Sequence, residues 1–150
     1  LHMRSHSFPT RRSSDLFYLK ELNKMEYTLK EEIIDKFIQV EESIDIIQQR
    51  RKGFQTLNDC MQSMLGMTIL DACIMRIQVI GETIKSIDDK TKGTLFSLYP
   101  DIPWKKIIGL RNIISHEYAN IDYDIIWIVI TKHLSELSET IHRIKSDLNQ

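Results

Sequence analysis

The chain reads as an all-α bundle of four to five helices. Three observations predict this. Apolar residues recur at steps of three and four over most of the length, and no segment alternates with period two for long. Five glycines and three prolines in 150 residues are also too few for a turn-dense β-sandwich. At 42% hydrophobic and 27% charged residues the composition suits a folded chain, and the length suits one domain.

The N-terminal stretch stands apart. His6-Ser-Phe-Pro-Thr-Arg-Arg-Ser-Ser-Asp-Leu16 has no hydrophobic period, and all eleven residues resemble the conceptual translation of a sequencing-adapter oligonucleotide. Residues 1–24 are therefore read as a non-native or disordered extension, with the native start near Met25 and the domain over 25–150. The extension also lacks the apolar core, about 7–15 residues long, of a signal peptide.

The first helical stripe runs Leu29, Ile33, Phe37, Val40, Ile44, Ile47. Acidic residues (Glu31, Glu32, Asp35, Glu41) crowd its start and Arg50-Arg51-Lys52 its end, which complements the helix dipole, and Gly53 is expected as the stop. A second stripe follows at Leu70, Cys73, Ile77, Ile80, Ile84, Ile87, with Asn58 or Asp59 as a cap before it. Its end is expected to fray at Asp88-Asp89 into a loop reaching Pro103, because acids there oppose the dipole. Pro103 suits the first position of a third helix through Trp104, Ile107, Ile108 and Leu110. Asp122 is the expected cap of a fourth, whose spacing continues through Leu134, Leu137, Ile141, Ile144 and Leu148. The stripes are read mainly as intramolecular core, with apolar face left over for a homodimer.

Charge and cysteine content exclude several classes. Setting residues 1–24 aside leaves 15 basic and 19 acidic residues, a net of −4, so overall charge gives no reason to expect nucleic-acid binding and any RNA contact must be local. Cys60 and Cys73 form neither a disulfide framework nor a zinc set, which makes a reducing cytoplasm the expected compartment. No run of consecutive apolar residues approaches the roughly 18 that cross a bilayer, so no membrane association is expected. There is no glycine-rich phosphate loop and no metal-spaced His/Cys set, and hence no expected cofactor or metal. His133 and His142 read as surface histidines.

One segment stands out: Gly109-Leu-Arg111-Asn112-Ile-Ile-Ser115-His116-Glu-Tyr118. On a continuous helix Arg111, Ser115 and Tyr118 share one face, while Asn112 and His116 pair on the adjoining one. Arg111 and His116 then lie about 140° apart around the axis and about 7.5 Å apart along it. Either the helix distorts near His116, or the site is completed by a second copy. A purely structural role is also open, since a histidine near a helix C-terminus suits the dipole and an arginine can pair with a carboxylate. The functional reading is phosphodiester cleavage. An imidazole exchanges protons near neutral pH, a guanidinium neutralises charge on phosphate oxygens, and RNA brings its own 2′-OH nucleophile.

Ile80-Gly81-Glu82, Tyr99-Pro-Asp-Ile-Pro-Trp104, Ile108-Gly-Leu-Arg-Asn-Ile-Ile-Ser-His-Glu-Tyr118, Ile121-Asp122 and Trp127 together resemble the HepT-like family of HEPN proteins, over roughly residues 25–148. The resemblance implies a HEPN-type antiparallel helical bundle that dimerises, with Arg-x4-His segments of two chains lining a shared cleft. It implies the toxin of a type VII-like toxin–antitoxin pair, a metal-independent endoribonuclease. The partner it implies is an MntA-like minimal nucleotidyltransferase that transfers AMP to the tyrosine of His-x-Tyr. Carried over, Arg111 and His116 are catalytic, Asn112 supports them, Tyr118 is the modification site, and Glu82 is either a partner in the site or a helix-packing residue. Lys105 and Lys106 are near enough in sequence to help hold RNA. The alternative in another class is a non-catalytic helical subunit that binds substrate for, or regulates, such a nucleotidyltransferase.

Overall fold

The computed structural model describes residues 12–24 and 27–150, which form helices joined by short turns, with no strand among them. In chain order the helices are α1 (Ser13–Lys24), α2 (Tyr27–Arg50), α3 (Leu57–Met61), α4 (Met64–Lys90), α5 (Trp104–Glu117), α6 (Tyr123–Ile128) and α7 (Leu134–Leu148). Helix α4 is the central member, packed against α2 on one side and α5 on another, while α7 closes the bundle on α2. Both sequence stripes form its core. Ile33, Phe37, Val40, Ile44 and Ile47 of α2 meet Leu70, Cys73, Ile77, Ile80, Ile84 and Ile87 of α4, all buried.

The helix count exceeds the expected four to five because the N-terminal stretch and the connection after α2 are themselves helical and the last helix is divided in two. Thr56 caps α3, and Asp59 returns the bond to the Thr56 backbone as the third residue of a capping box rather than as the cap. Ser63 caps α4. The single helix expected after Asp122 is interrupted by a π-turn over Val129–His133, where the Gln48 amide of α2 donates to the Ile130 carbonyl at 2.8 Å. Asp122 does cap α6, accepting from the Asp124 and Ile125 backbones.

Three helix ends differ from expectation. Helix α2 stops at Arg50, before Gly53, whose φ is not positive. Helix α4 does not fray at Asp88 but runs to Lys90. Lys85 pairs with Asp89 at 2.7 Å, and Lys92 and Gly93 turn left-handed (φ 54° and 74°) so that the Gly93 N–H reaches the Asp88 carbonyl. Pro103 stands one place earlier than expected, as the cap of α5.

Ser13–Lys24, part of the stretch read as foreign to the domain, is helical, with Leu19 buried on the bundle; Met25 and residues 1–11 lie outside the described residues. Helix α4 is long and apolar enough on average to pass for a membrane span, which the count of consecutive apolar residues misses. Leu70, Cys73, Ile74, Ile77, Ile80, Ile84 and Ile87 are buried in the bundle, while Met64, Leu65, Met67, Met75 and Val79 are exposed.

The segment between α4 and α5 fixes where α5 begins. Leu95, Phe96, Tyr99 and Ile102 are buried, the Phe96 ring stacks on Trp104 with centroids 3.9 Å apart, and the Trp104 indole donates to the Tyr99 carbonyl at 2.8 Å. The Tyr99 hydroxyl donates to Asp147 of α7 at 2.5 Å. The Phe96 ring also meets Phe37 of α2 edge-on, so the aromatic cluster joins the start of α5 to both α2 and α7.

Candidate functional site: a polar seam between two helices

Helix α5 runs without a break from Trp104 to Glu117, so the helix does not distort at His116. Its backbone departs only at Glu117 (φ −132°, ψ 30°), after which Tyr118–Asn120 forms one 3₁₀ turn. Of the two explanations for the separation of Arg111 and His116, local distortion is thereby removed.

Along the face that α5 turns toward α4, three polar pairs cross the interface in antiparallel order. The Arg111 Nη1 meets Glu82 Oε1 at 3.1 Å, Gln78 Nε2 donates to Ser115 Oγ at 2.6 Å, and the Tyr118 hydroxyl donates to Asp71 Oδ1 at 2.5 Å. Arg111, Ser115 and Tyr118 therefore share a face as their spacing predicts, and the seam adds the face opposite. Asp71 and Gln78 were not singled out from sequence. Their signal was available, because Asp71, Gln78 and Glu82 fall at i, i+7 and i+11, on one face of the helix.

Gly81 and Glu82 divide the two roles left open for Glu82. Gly81 is the packing residue: a Cβ there would stand 3.1 Å from the Ile107 carbonyl oxygen and 3.2 Å from the Arg111 Cβ. Its absence lets α4 and α5 approach at the level of Arg111. Glu82 is the partner of Arg111. It occupies one guanidinium nitrogen, and the Arg111 Nε–H is buried without a hydrogen-bond partner in the chain. A planar guanidinium held at one corner has further donors at its terminal nitrogens, whereas the buried Nε–H is out of reach of solvent.

His116 and Asn112 are exposed, off the seam, and share a stripe of α5 with the exposed Lys105. Lys106 belongs elsewhere. It borders an apolar groove of about 480 Å³ on the far side of α5, lined by Ile107, Leu110, Ile113, Ile125, Val129 and Leu137 among others. Across the seam from His116, the outer face of α4 exposes Met75 (61%) and Val79 (39%).

Tyr118 is held in its protonated form. The bond to the Asp71 carboxylate, and secondarily burial, push its phenol up to about 12, so it is a neutral donor near pH 7. Among the described residues no three His, Cys, Asp or Glu side chains converge in a way that would hold a metal ion. His133 pairs with Glu136 at 2.9 Å and His142 lies near Glu41, both on the surface.

An all-α bundle with an Arg-x4-His helix at its surface is a HEPN-type architecture. The family model of the HepT-like ribonucleases matches residues 40–144, and the chain belongs to that family. Similar proteins include one from Methanocaldococcus jannaschii named gamma-glutamylcyclotransferase and putative RNase, 32% identical over 109 residues, which cover 73% of this chain and 46% of that protein. Another protein of that organism, named putative RNase, is 37% identical over 75 residues, 49% of this chain and 59% of its own length. A probable ribonuclease HepT of Thermococcus cleftensis is 26% identical over 74 residues, 49% of this chain and 64% of its own. The match thus spans about half to two thirds of each relative. No solved structure matches the chain significantly.

Proposed function

We propose that the chain is an endoribonuclease that cleaves RNA by attack of the substrate's own 2′-OH, with Arg111 and His116 meeting across two copies of the chain. The observation that carries this reading is the unbroken α5, which sets Arg111 in the seam and His116 on the face beside it. Within one chain the two diverge. A two-fold partner laid over the outer α4–α5 surface brings its own His116 toward Arg111 and covers Met75 and Val79 in the same contact. Family membership and the relatives' names support the reaction class.

In this reading the 2′-oxygen bonds to phosphorus and the bond to the 5′-oxygen breaks, with His116 carrying the proton and Arg111 neutralising the phosphorane oxygens. Glu82 holds the guanidinium in place, while Asn112 and Lys105 border the approach of the RNA backbone. Lys106, on the other side of α5, is less well placed for that. The buried free cysteines suit a reducing cytoplasm.

We assign the chain to the toxin side of a toxin–antitoxin pair, with a minimal nucleotidyltransferase as partner and Tyr118 as the residue it modifies. Tyr118 is 44% exposed and stands on the seam with Arg111, so a phosphate on its hydroxyl sets like charge and bulk in the path of RNA.

The test is incubation of the purified chain with total RNA in EDTA, beside His116→Ala. Fragmentation by the wild type alone is expected. Intact RNA in both lanes, with Tyr118 unmodified by mass, favours instead a non-catalytic subunit of the nucleotidyltransferase.

A further inference from the structure

Between Ile114, the last buried residue of α5, and the half-buried Ile121, residues 115–120 are all exposed. This segment contains His116, and no buried apolar side chain anchors it. The α-helical backbone also gives out inside it, at Glu117. Two side-chain ties, Ser115 to Gln78 and Tyr118 to Asp71, fasten it to α4. The second lies beyond the helix break, joins residues 47 apart in sequence, and ends on a carboxylate, which makes it the stronger.

We propose that Asp71 is a positioning residue for the cleavage site: by holding the Tyr118 hydroxyl it fastens the end of α5 that carries His116 against α4. The inference rests on the ribonuclease reading and adds to it a residue outside the Arg-x4-His motif. A helix end that lacks buried contacts opens locally at little cost, so one charge-assisted hydrogen bond is a large share of what keeps it closed. The same bond commits a carboxylate that would otherwise face RNA phosphates unpaired. Its loss also follows from modification of Tyr118. A substituent on the phenol oxygen removes the donated proton, and a phosphate there confronts Asp71 with like charge. Modification then releases the His116 end of α5 as well as filling the RNA path.

The experiment compares Asp71→Ala, Asp71→Asn, Tyr118→Phe and the double variant Asp71→Ala/Tyr118→Phe in the full chain. It reads amide hydrogen exchange over residues 115–121 together with RNA cleavage in EDTA. Asp71→Ala and Tyr118→Phe are each expected to speed exchange in that segment alone and to lower cleavage about tenfold, the scale of one hydrogen bond to a charged group. The double variant is expected to be no worse than either single one, because both remove the same bond. Asp71→Asn keeps an acceptor and is expected to retain most of both signals. Exchange unmoved by Asp71→Ala overturns the proposal whatever the cleavage assay gives, as do effects of the two single variants that multiply in the double. Wild-type protein without His116-dependent cleavage overturns the ribonuclease reading separately, and the exchange data still judge the tie.

Discussion

Arg111 shows how one side chain is prepared by its neighbours. Its guanidinium is mostly covered, bonded at one nitrogen to Glu82 and unpaired at Nε. The pair with half-exposed Glu82 adds little to stability in water, so its effect is chiefly on orientation. We expect Glu82→Ala to lower cleavage about tenfold with an unchanged melting temperature, and Glu82→Gln, which keeps an acceptor, to lower it less. Tyr118 gives a prediction in pH. A phenol whose folded value is raised to about 12 contributes stability that is complete below its ordinary value near 10 and is lost as pH rises toward 12. Difference absorbance of wild type against Tyr118→Phe should therefore show this tyrosine ionising near pH 12, and Asp71→Ala should return it toward 10. Burial likewise pushes the Cys73 thiol up to about 11 and raises that of Cys60. Neither is expected to react with a thiol reagent at pH 8 until the protein is unfolded, and two should react then.

Among the elements, the α4–α5 pair decides the site. Gly81 permits the contact, and the neighbours a side chain there would meet include the backbone of α5. Gly81→Val is expected to cost about 1–3 kcal/mol through the separation it forces, and to reduce cleavage further by moving Arg111 away from Glu82. Thermal unfolding beside an RNA assay checks both. The stripes of α2 and α4 were legible in sequence because a 3.6-residue period survives wherever a helix buries one face. Helix ends were less legible. The stop at Gly53 and the fraying at Asp88 were argued from single residues, whereas the actual ends are set by several bonds acting together, such as the Lys85–Asp89 pair with the left-handed turn at Lys92 and Gly93.

For the whole molecule, the outer face of the seam is unfinished. Met75 and Val79 are exposed beside polar residues that the chain has already paired, and His116 lies on the other side of them. If two copies join there, Val79→Asp should give a folded monomer that no longer cleaves RNA, with normal helicity by circular dichroism. A dimer that survives Val79→Asp would move the interface elsewhere, the apolar groove between α5 and α6 being the next surface to test.

Sequence by itself determined the fold class, the buried stripes, the cap at Asp122 and the grouping of Arg111, Ser115 and Tyr118 on one face. All of these follow from spacing along one chain. It also set the angular separation of Arg111 and His116, which an unbroken helix makes unavoidable. Only the tertiary structure decided what the seam pairs with, that Glu82 and not another acid meets Arg111, and that Asp71 and Gln78 belong to the site at all. Those residues lie 29 to 47 positions from their partners. Helical periodicity ranks residues by face but carries no information on which face of a distant helix will lie opposite. That choice is made by packing, here by the aromatic cluster that aims α5 and by the missing side chain of Gly81.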